Sequence, residues 1–384
     1  MVMRGRFVIL TVAVWLLLGW SGGPGRLAGR AVAQAFDVQR LVEAARQERE
    51  FVVLSNSGLI TDIAKKFSEK YGIKAVGIKA NSLAQVQRVT REMASGAPTV
   101  GALIIEDGPA VQELLLRRGY VENWVPPDLT SVIPKEWQNP LVAVWSAKVL
   151  TYNPSSYRNC PVASLWDLTF PQWAGKVAFK DPLEAPEMIT WFSWLTTPEY
   201  ARSLQTAYQR RTGGVLEIRE QNAGYEFIRR LAMNRPILGQ SDDDVSAAIG
   251  APGQKEAPVG IVSLAKFAQA TAKGESLAAC VNAFPFIGWA YPRHIVITKK
   301  SPAPNAARLF VHYVMTGEGA RPFIDFYGEF HANPKVAVSE TEGKFLGPRA
   351  FWKRYVVFLE PRGNERAWRM REELTDFWRL NYRR

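Results

Sequence analysis

From residue 36 onward the chain alternates between stretches of helical period and short apolar runs, and this rhythm limits the fold more than any other feature. Val38 to Arg49 places Leu41, Val42 and Ala45 on one helical face. Phe51 to Leu54 is a continuous apolar run, suited to a parallel strand buried on both faces. Ser55-Asn56-Ser57-Gly58 reads as a turn, and Leu59 to Tyr71 as a helix that stops at Gly72. Ile73 to Ile78 and Val100 to Ile105 read as strands, flanking a helix over Ser82 to Ser95 that Ser82 opens as a cap. Gly108 to Arg118 reads as the next helix. Strand and helix in strict alternation predict a doubly wound α/β unit, because parallel strands need helical crossovers that cover both faces of the sheet.

The rhythm then restarts. Leu141 to Tyr152 is a long apolar strand-like segment that ends in the turn signal Asn153-Pro154. A second series follows, with Lys176 to Phe179, Ile237 to Gly239 and Val259 to Val262 as strands. Met188 to Leu195 and Glu226 to Asn234 are its helices. Phe284 to Ile297 turns extended again, and Ala303 to Thr316 is amphipathic. We expect two α/β lobes joined by two extended crossings, with residues 34–145 and 289–384 in lobe one and 146–288 in lobe two. Such a layout puts a ligand between the lobes and lets hinge strands close them upon it.

The first residues read differently. Arg4 and Arg6 precede an apolar run from Phe7 to Trp20, and Ala31-Val32-Ala33 offers a small-residue cleavage pattern. Residues 1–33 are expected to be a cleaved export signal, and the mature chain a monomer in the periplasm; an uncleaved anchor is the alternative. The full chain carries a net charge of +12, and the leader has four arginines and no acid, which leaves +8 on the remainder. The basic residues are scattered except near the C-terminus, and an exported chain meets no nucleic acid, so the charge is read as solvated surface. Cys160 and Cys280 are the whole cysteine inventory; in an oxidising compartment they pair, or else they remain two buried thiols. Beyond the leader the motifs G-x-S-x-G, G-x-x-x-x-G-K and H-E-x-x-H are absent, and His294, His312 and His331 are widely spaced. No enzyme activity and no resident cofactor are expected.

The candidate binding groups follow the strands. Ser55, Asn56 and Ser57 can hold a polar solute or simply cap the helix that follows, and Ser82 has the same two roles open to it. Glu106 and Asp107 leave an apolar strand at its carboxyl edge, where ligands of doubly wound sheets sit. Asp242-Asp243-Asp244 is the densest acidic run; it contacts a cationic solute or starts a helix. Trp191, Trp194 and Trp289 are stacking platforms or core.

Several segments together resemble a known family. Val149-Leu-Thr-Tyr-Asn-Pro154, Ser164-Leu-Trp-Asp-Leu168 and Trp173-Ala-Gly-Lys-Val-Ala-Phe-Lys-Asp-Pro182 are similar to segments of the solute-binding proteins of ATP-driven importers, in the branch that includes ferric-iron binders. Ala44 to Ser55, Pro302 to Phe310 and Thr316-Gly-Glu-Gly319 extend the likeness. It implies the type II periplasmic binding fold and a receptor that delivers a metal ion or small solute to an ABC permease at the inner membrane. It also implies ligand contacts at Ser55, Asn56, Ser57, Ser82, Asp107, Asp181 (after Lys180) and Tyr291. With Tyr225, Asp242 and Asp243 these are the expected site residues. Ferric iron is a hard ion that prefers oxygen donors, and ferric binders of this family commonly use adjacent tyrosines. Tyr152, Tyr225 and Tyr291 are the phenol candidates here, and no Tyr-Tyr pair occurs. Ferric iron or a small polar organic solute are therefore the two cargo expectations. An exported enzyme or a sensor domain on the same scaffold are the functional alternatives. The aromatic, Arg-rich segment Gly343 to Arg384 is expected to pack across the first lobe, with docking to the permease or membrane as its alternative.

Overall fold

A computed structural model describes residues 36–337 and 355–382. The expected leader and residues 343–354 lie outside the described residues. The chain from Asp37 onward forms one unit, distinct from the first 36 residues.

Strands β1 (Phe51–Ser55), β2 (Ala75–Lys79) and β3 (Ala102–Ile105) run parallel in the order β2-β1-β3. Between them lie the helices Ile60–Tyr71 and Ser82–Ser95. Every residue of β3 is buried, as its unbroken apolar run requires. The sequence placed the cap of the second helix at Ser82. Asn81 takes that place instead, its side chain accepting from the Ala84 amide at 2.8 Å. Asn81 satisfies the helix end, so the Ser82 hydroxyl is left to face the cleft. Past β3 the chain enters a short helix, Gly108–Ala110, that runs on into a π-helical turn, Val111–Leu116.

Two long strands tie the halves together. β5 (Val142–Tyr152) and β10 (Gly288–Thr298) pair antiparallel, with Tyr291 opposite Ser146 and Arg293 opposite Val144. The short β4 (Val121–Glu122), which precedes β5 in sequence, pairs with β10, while β6 (Val177–Lys180), β7 (Ile237–Gly239) and β8 (Val259–Ser263), between the two long strands, build the second lobe. In that lobe β8 pairs antiparallel with β5, and β6 lies parallel to β8 and to β7. β9 (Ala278–Ala279) and β11 (Phe330–His331) add edges to β5, and β12 (Val356–Phe358) lies parallel to β10. The resulting order, β2-β1-β3-β10-β5-β8-β6-β7, passes through both crossing strands at its centre. The architecture is thus the two-lobed α/β arrangement expected from the rhythm. The residues that follow β1 and β3 and the carboxyl end of β6 face one another across the gap between lobes.

Cys160 and Cys280 form a disulfide with a Cα–Cα distance of 5.3 Å. It joins the segment that leaves β5 to the one that leads into β10. The tryptophans considered as stacking platforms are packing groups. Trp191 and Trp289 stack at 4.4 Å, both buried, and Trp194 lies edge-on to Tyr200. The last helix, Asn364–Tyr382, was expected across lobe one; it packs chiefly on the lobe-two helices Pro186–Leu195 and Ala223–Met233. A terminal helix has two flanks to offer, and its sequence pattern does not say which surface will take which flank.

Candidate functional site

A cavity of about 200 Å³ lies between the lobes. Lobe one supplies Asn56, Ser82, Glu106 and Asp107. Lobe two supplies Lys180, the turn Pro182–Glu184 and the start of the helix Pro186–Leu195, including Glu187. Arg371 and Thr375 of the C-terminal helix complete the lining.

The lobe-one wall is built from turns at strand ends. Asn56 donates to Ser82 Oγ at 3.0 Å and accepts from Gln85 at 2.9 Å, so the first turn is fixed against the start of the next helix. Ser55 and Ser57 serve that turn from behind. The Ser57 amide donates to Ser55 Oγ, and the Ser57 hydroxyl donates to Tyr327 at 3.2 Å. Asp107 caps the Ala110 amide at 3.1 Å and also receives both terminal nitrogens of Arg371.

Behind the cavity the crossing strands carry a buried charge cluster. Residues opposite one another in an antiparallel pair share a face, so Ser146, Lys148, Tyr291 and Arg293 point to one side of the ladder. Lys148 is 3% exposed and sits 3.0 Å from Glu187 and 3.1 Å from Asp242. Arg293 reaches Glu106 and Glu329, each at 3.0 Å. Burial opposes the Lys148 ammonium, but Asp242 and Glu187 outweigh it and hold its pKa well above the usual lysine value. Burial likewise opposes the Asp242 carboxylate, and Lys148 and Lys180 hold its pKa below the ordinary value all the same. Glu106 goes the other way: burial raises its pKa, Arg293 only partly offsets this, and Glu187 on the other lobe adds to it. Burial pushes Glu329 up to about 7 despite Arg293. It pushes the Tyr291 phenol up as well, helped by Glu106, so the phenol stays protonated. Lys180 lines the cavity, and its ammonium makes no ion pair or hydrogen bond among the described residues.

Of the residues expected from sequence, Asn56, Ser82 and Asp107 therefore line one cavity, and Asp242 and Tyr291 stand in the charge cluster behind it. The other five lie elsewhere. Ser55 and Ser57 support the turn. Asp181 accepts from the Leu183 amide at 2.9 Å and shapes the loop without lining the cavity. Asp243 points outward to Lys266 at 2.9 Å and to Lys273. Tyr225 donates to Glu373 and packs edge-on against Phe377 in the C-terminal helix. Lys148, Lys180, Glu187, Arg293, Glu329 and Arg371 were not singled out. Lys148 and Arg293 did leave a signal, each being the charged residue within an otherwise apolar strand. Among the described residues no three His, Cys, Asp or Glu side chains are grouped as a metal site. The three histidines stay apart: His294 contacts Pro140 O, His312 contacts Asp128 and His331 contacts Val314 O.

Comparison with known proteins agrees with this fold. Residues 52–327 match the model of a family described as bacterial extracellular solute-binding protein. Iron-bound HitA from Pseudomonas aeruginosa is similar in structure, with a TM-score of 0.64 and 17% identity over 86% of this chain and 99% of that one. Apo ferric ion-binding protein A from Pasteurella haemolytica gives 0.65 and 16% over 86% and 98%. IdiA (FutA) of Trichodesmium, with iron and citrate, gives 0.62 and 13% over 87% and 99%. At these identities the likeness concerns the fold. No curated protein matches the chain.

Proposed function

The chain belongs to the bacterial extracellular solute-binding proteins, and from that membership we propose that it is a periplasmic, monomeric receptor for a small solute with a positively charged group, which it hands to an ABC permease. The observation that carries the choice of charge is the balance of the cleft. Glu106, Glu187, Asp242 and Glu329 face Lys148, Arg293 and Lys180, one cation short when all are ionised. Glu106 comes from one lobe and Glu187 from the other, and Glu187 raises the cost of ionising Glu106. A cationic group between them relieves that cost as the lobes close. The cavity is smaller than the about 300–1,000 Å³ of pockets for drug-sized ligands, which favours a compact solute such as a small organic ammonium.

A second reading has its own support. The similar structures include iron-bound proteins, and Glu106, Glu187 and Tyr291 offer the hard oxygen donors that ferric iron prefers.

A thermal-shift screen with small diamines, choline, phosphate, citrate and ferric citrate separates the readings. A bound solute stabilises by RT ln(1 + [L]/Kd), about 2.7 kcal/mol at one hundred times Kd. The ammonium reading expects a shift with the diamines or choline that E187Q abolishes. A shift with phosphate or citrate alone overturns it. A ferric-dependent shift with a visible tyrosinate band, lost in Y291F, establishes the second reading instead.

A further inference from the structure

We propose that the C-terminal helix Asn364–Tyr382 is a strap that holds the lobes together, with the Arg371–Asp107 ion pair as its clasp and Arg371 and Thr375 as a third wall of the solute site. The family model ends at residue 327, before this helix begins.

The helix is anchored in lobe two along its length, from Arg366 in its first turn to Tyr382 in its last. Trp378 is 1% exposed and packs on Phe179 at 5.8 Å and Phe192 at 5.6 Å between ring centroids. Glu373 receives the Tyr225 hydroxyl, Arg366 donates to Thr196 Oγ1 at 2.9 Å, and the Tyr382 hydroxyl donates to Pro236 O at 3.3 Å. These partners all belong to lobe two. The same helix reaches lobe one on its other flank. Trp368 packs against the lobe-one core that contains Leu54, Ile105 and Leu115. Asn364 lies so near Gly108 that a Cβ there would come within 2.8 Å of its Oδ1.

Between these anchors Arg371 donates from both terminal nitrogens to the two oxygens of Asp107. Paired donors on one carboxylate fix direction as well as distance; Asp107 is 4% exposed, and the Arg371 side chain keeps 25% of its surface in contact with water. The carboxylate cannot drift to meet a moving partner, because it also caps the Ala110 amide. Separating the lobes therefore pulls Arg371 off Asp107 or peels the helix from lobe two. The guanidinium also stacks 4.7 Å from the Trp368 ring, and its buried Nε has no hydrogen-bond partner among the described residues. One side chain thus serves both as clasp and as cavity wall.

The purpose given to the strap rests on the receptor reading, but the clasp can be tested without solute. Spin labels at K65C in lobe one and Q205C in lobe two, both exposed positions, report the distance between lobes in the full chain with its native disulfide intact. The parent and the control E372Q should give one narrow distance. R371Q and D107N should each add a longer population. If R371Q fails to fold, R371K serves, because a single ammonium loses the paired geometry while keeping the charge. Distances in R371K and D107N that superimpose on the parent would overturn the strap. Choline then separates the two ideas: where it binds the parent, its dissociation should be at least tenfold faster from R371K, and an unchanged rate counts against the strap. Failure of choline to bind the parent counts against the cationic-solute reading and leaves the distance result to decide the clasp.

Discussion

Replacing Lys148 by Met tests whether the hinge cluster is held by charge. Methionine keeps the length of the stem and removes the ammonium. In the parent that ammonium lies 3.0 Å from Glu187 and 3.1 Å from Asp242, and both Lys148 and Glu187 are below 5% exposed. The variant leaves two carboxylates facing one another with no cation between them. Removing one member of a buried ion pair costs about 3–5 kcal/mol, because the partner stays buried and uncompensated. At about 1.5 °C per kcal/mol for a chain of this size, the melting temperature should fall by about 4–8 °C at pH 7.5. The pH dependence separates charge from packing. Asp242 has a folded pKa below its ordinary value, so its contribution to the parent is present above that ordinary value and is lost as pH falls through the folded one. The Lys148 contribution is full below the unfolded lysine pKa and is lost only at higher pH, outside the range of interest. Without Lys148 the carboxylates gain from taking up a proton, so the deficit of K148M should shrink between pH 7.5 and 5. The triple variant K148M/E187Q/D242N should recover most of the loss at pH 7.5. Calorimetry at three pH values is sufficient. A deficit that stays constant with pH, or no deficit at all, would refute the electrostatic account.

Two further outcomes follow from the same coordinates. The disulfide closes a sequence separation of 120 residues, for which chain entropy predicts about 5 kcal/mol of stabilisation; C160S/C280S should melt well below the parent, and a parent insensitive to reductant would contradict this. Glu329 is a buried acid whose folded pKa is raised to about 7. Its neutral form favours the folded state fully below the unfolded pKa, and this is lost as pH rises toward 7. E329Q should flatten the decline in melting temperature between pH 5 and 7, by a slope on the order of 3 kcal/mol over that range, and an unchanged slope would assign the titration to another group.

The fold was legible because its signals are local and repeated. A run such as Ala102–Ile105 must be buried on both faces, and glycines such as Gly72 end helices where the periodicity stops. The site was legible only as far as strand ends show which residues lie near a cleft. Asp242 and Asp243 show the limit. They are neighbours in one helix, so their side chains diverge by about 100°, and one meets buried Lys148 while the other meets surface Lys266 and Lys273. An acidic run announces that a helix begins, not which of its members faces inward. Tyr225 illustrates the same limit at longer range, since its partner, Glu373, comes from a helix about 150 residues away whose docking surface no local pattern specifies.

The crossing strands explain why charge was placed where it costs most. A receptor that closed as readily when empty as when loaded would present both forms alike, so the closing free energy must depend on the solute. A ligand shifts that equilibrium only by its differential affinity for the two states. Apolar lobe faces would close unaided. Carboxylates contributed by opposite lobes, Glu106 and Glu187, oppose closure until something positive separates them, while Lys148 and Arg293 keep the opposition small enough to be overcome. Arg371 acts in the other direction by joining the lobes through Asp107. The balance of the two, a repulsion at the floor of the cleft and an attraction at its rim, sets how much of the chain is closed before any solute arrives. Removing the rim contact alone should therefore add less of the longer inter-lobe distance, measured without solute, in E187Q than in the parent, because the repulsion it works against is already gone.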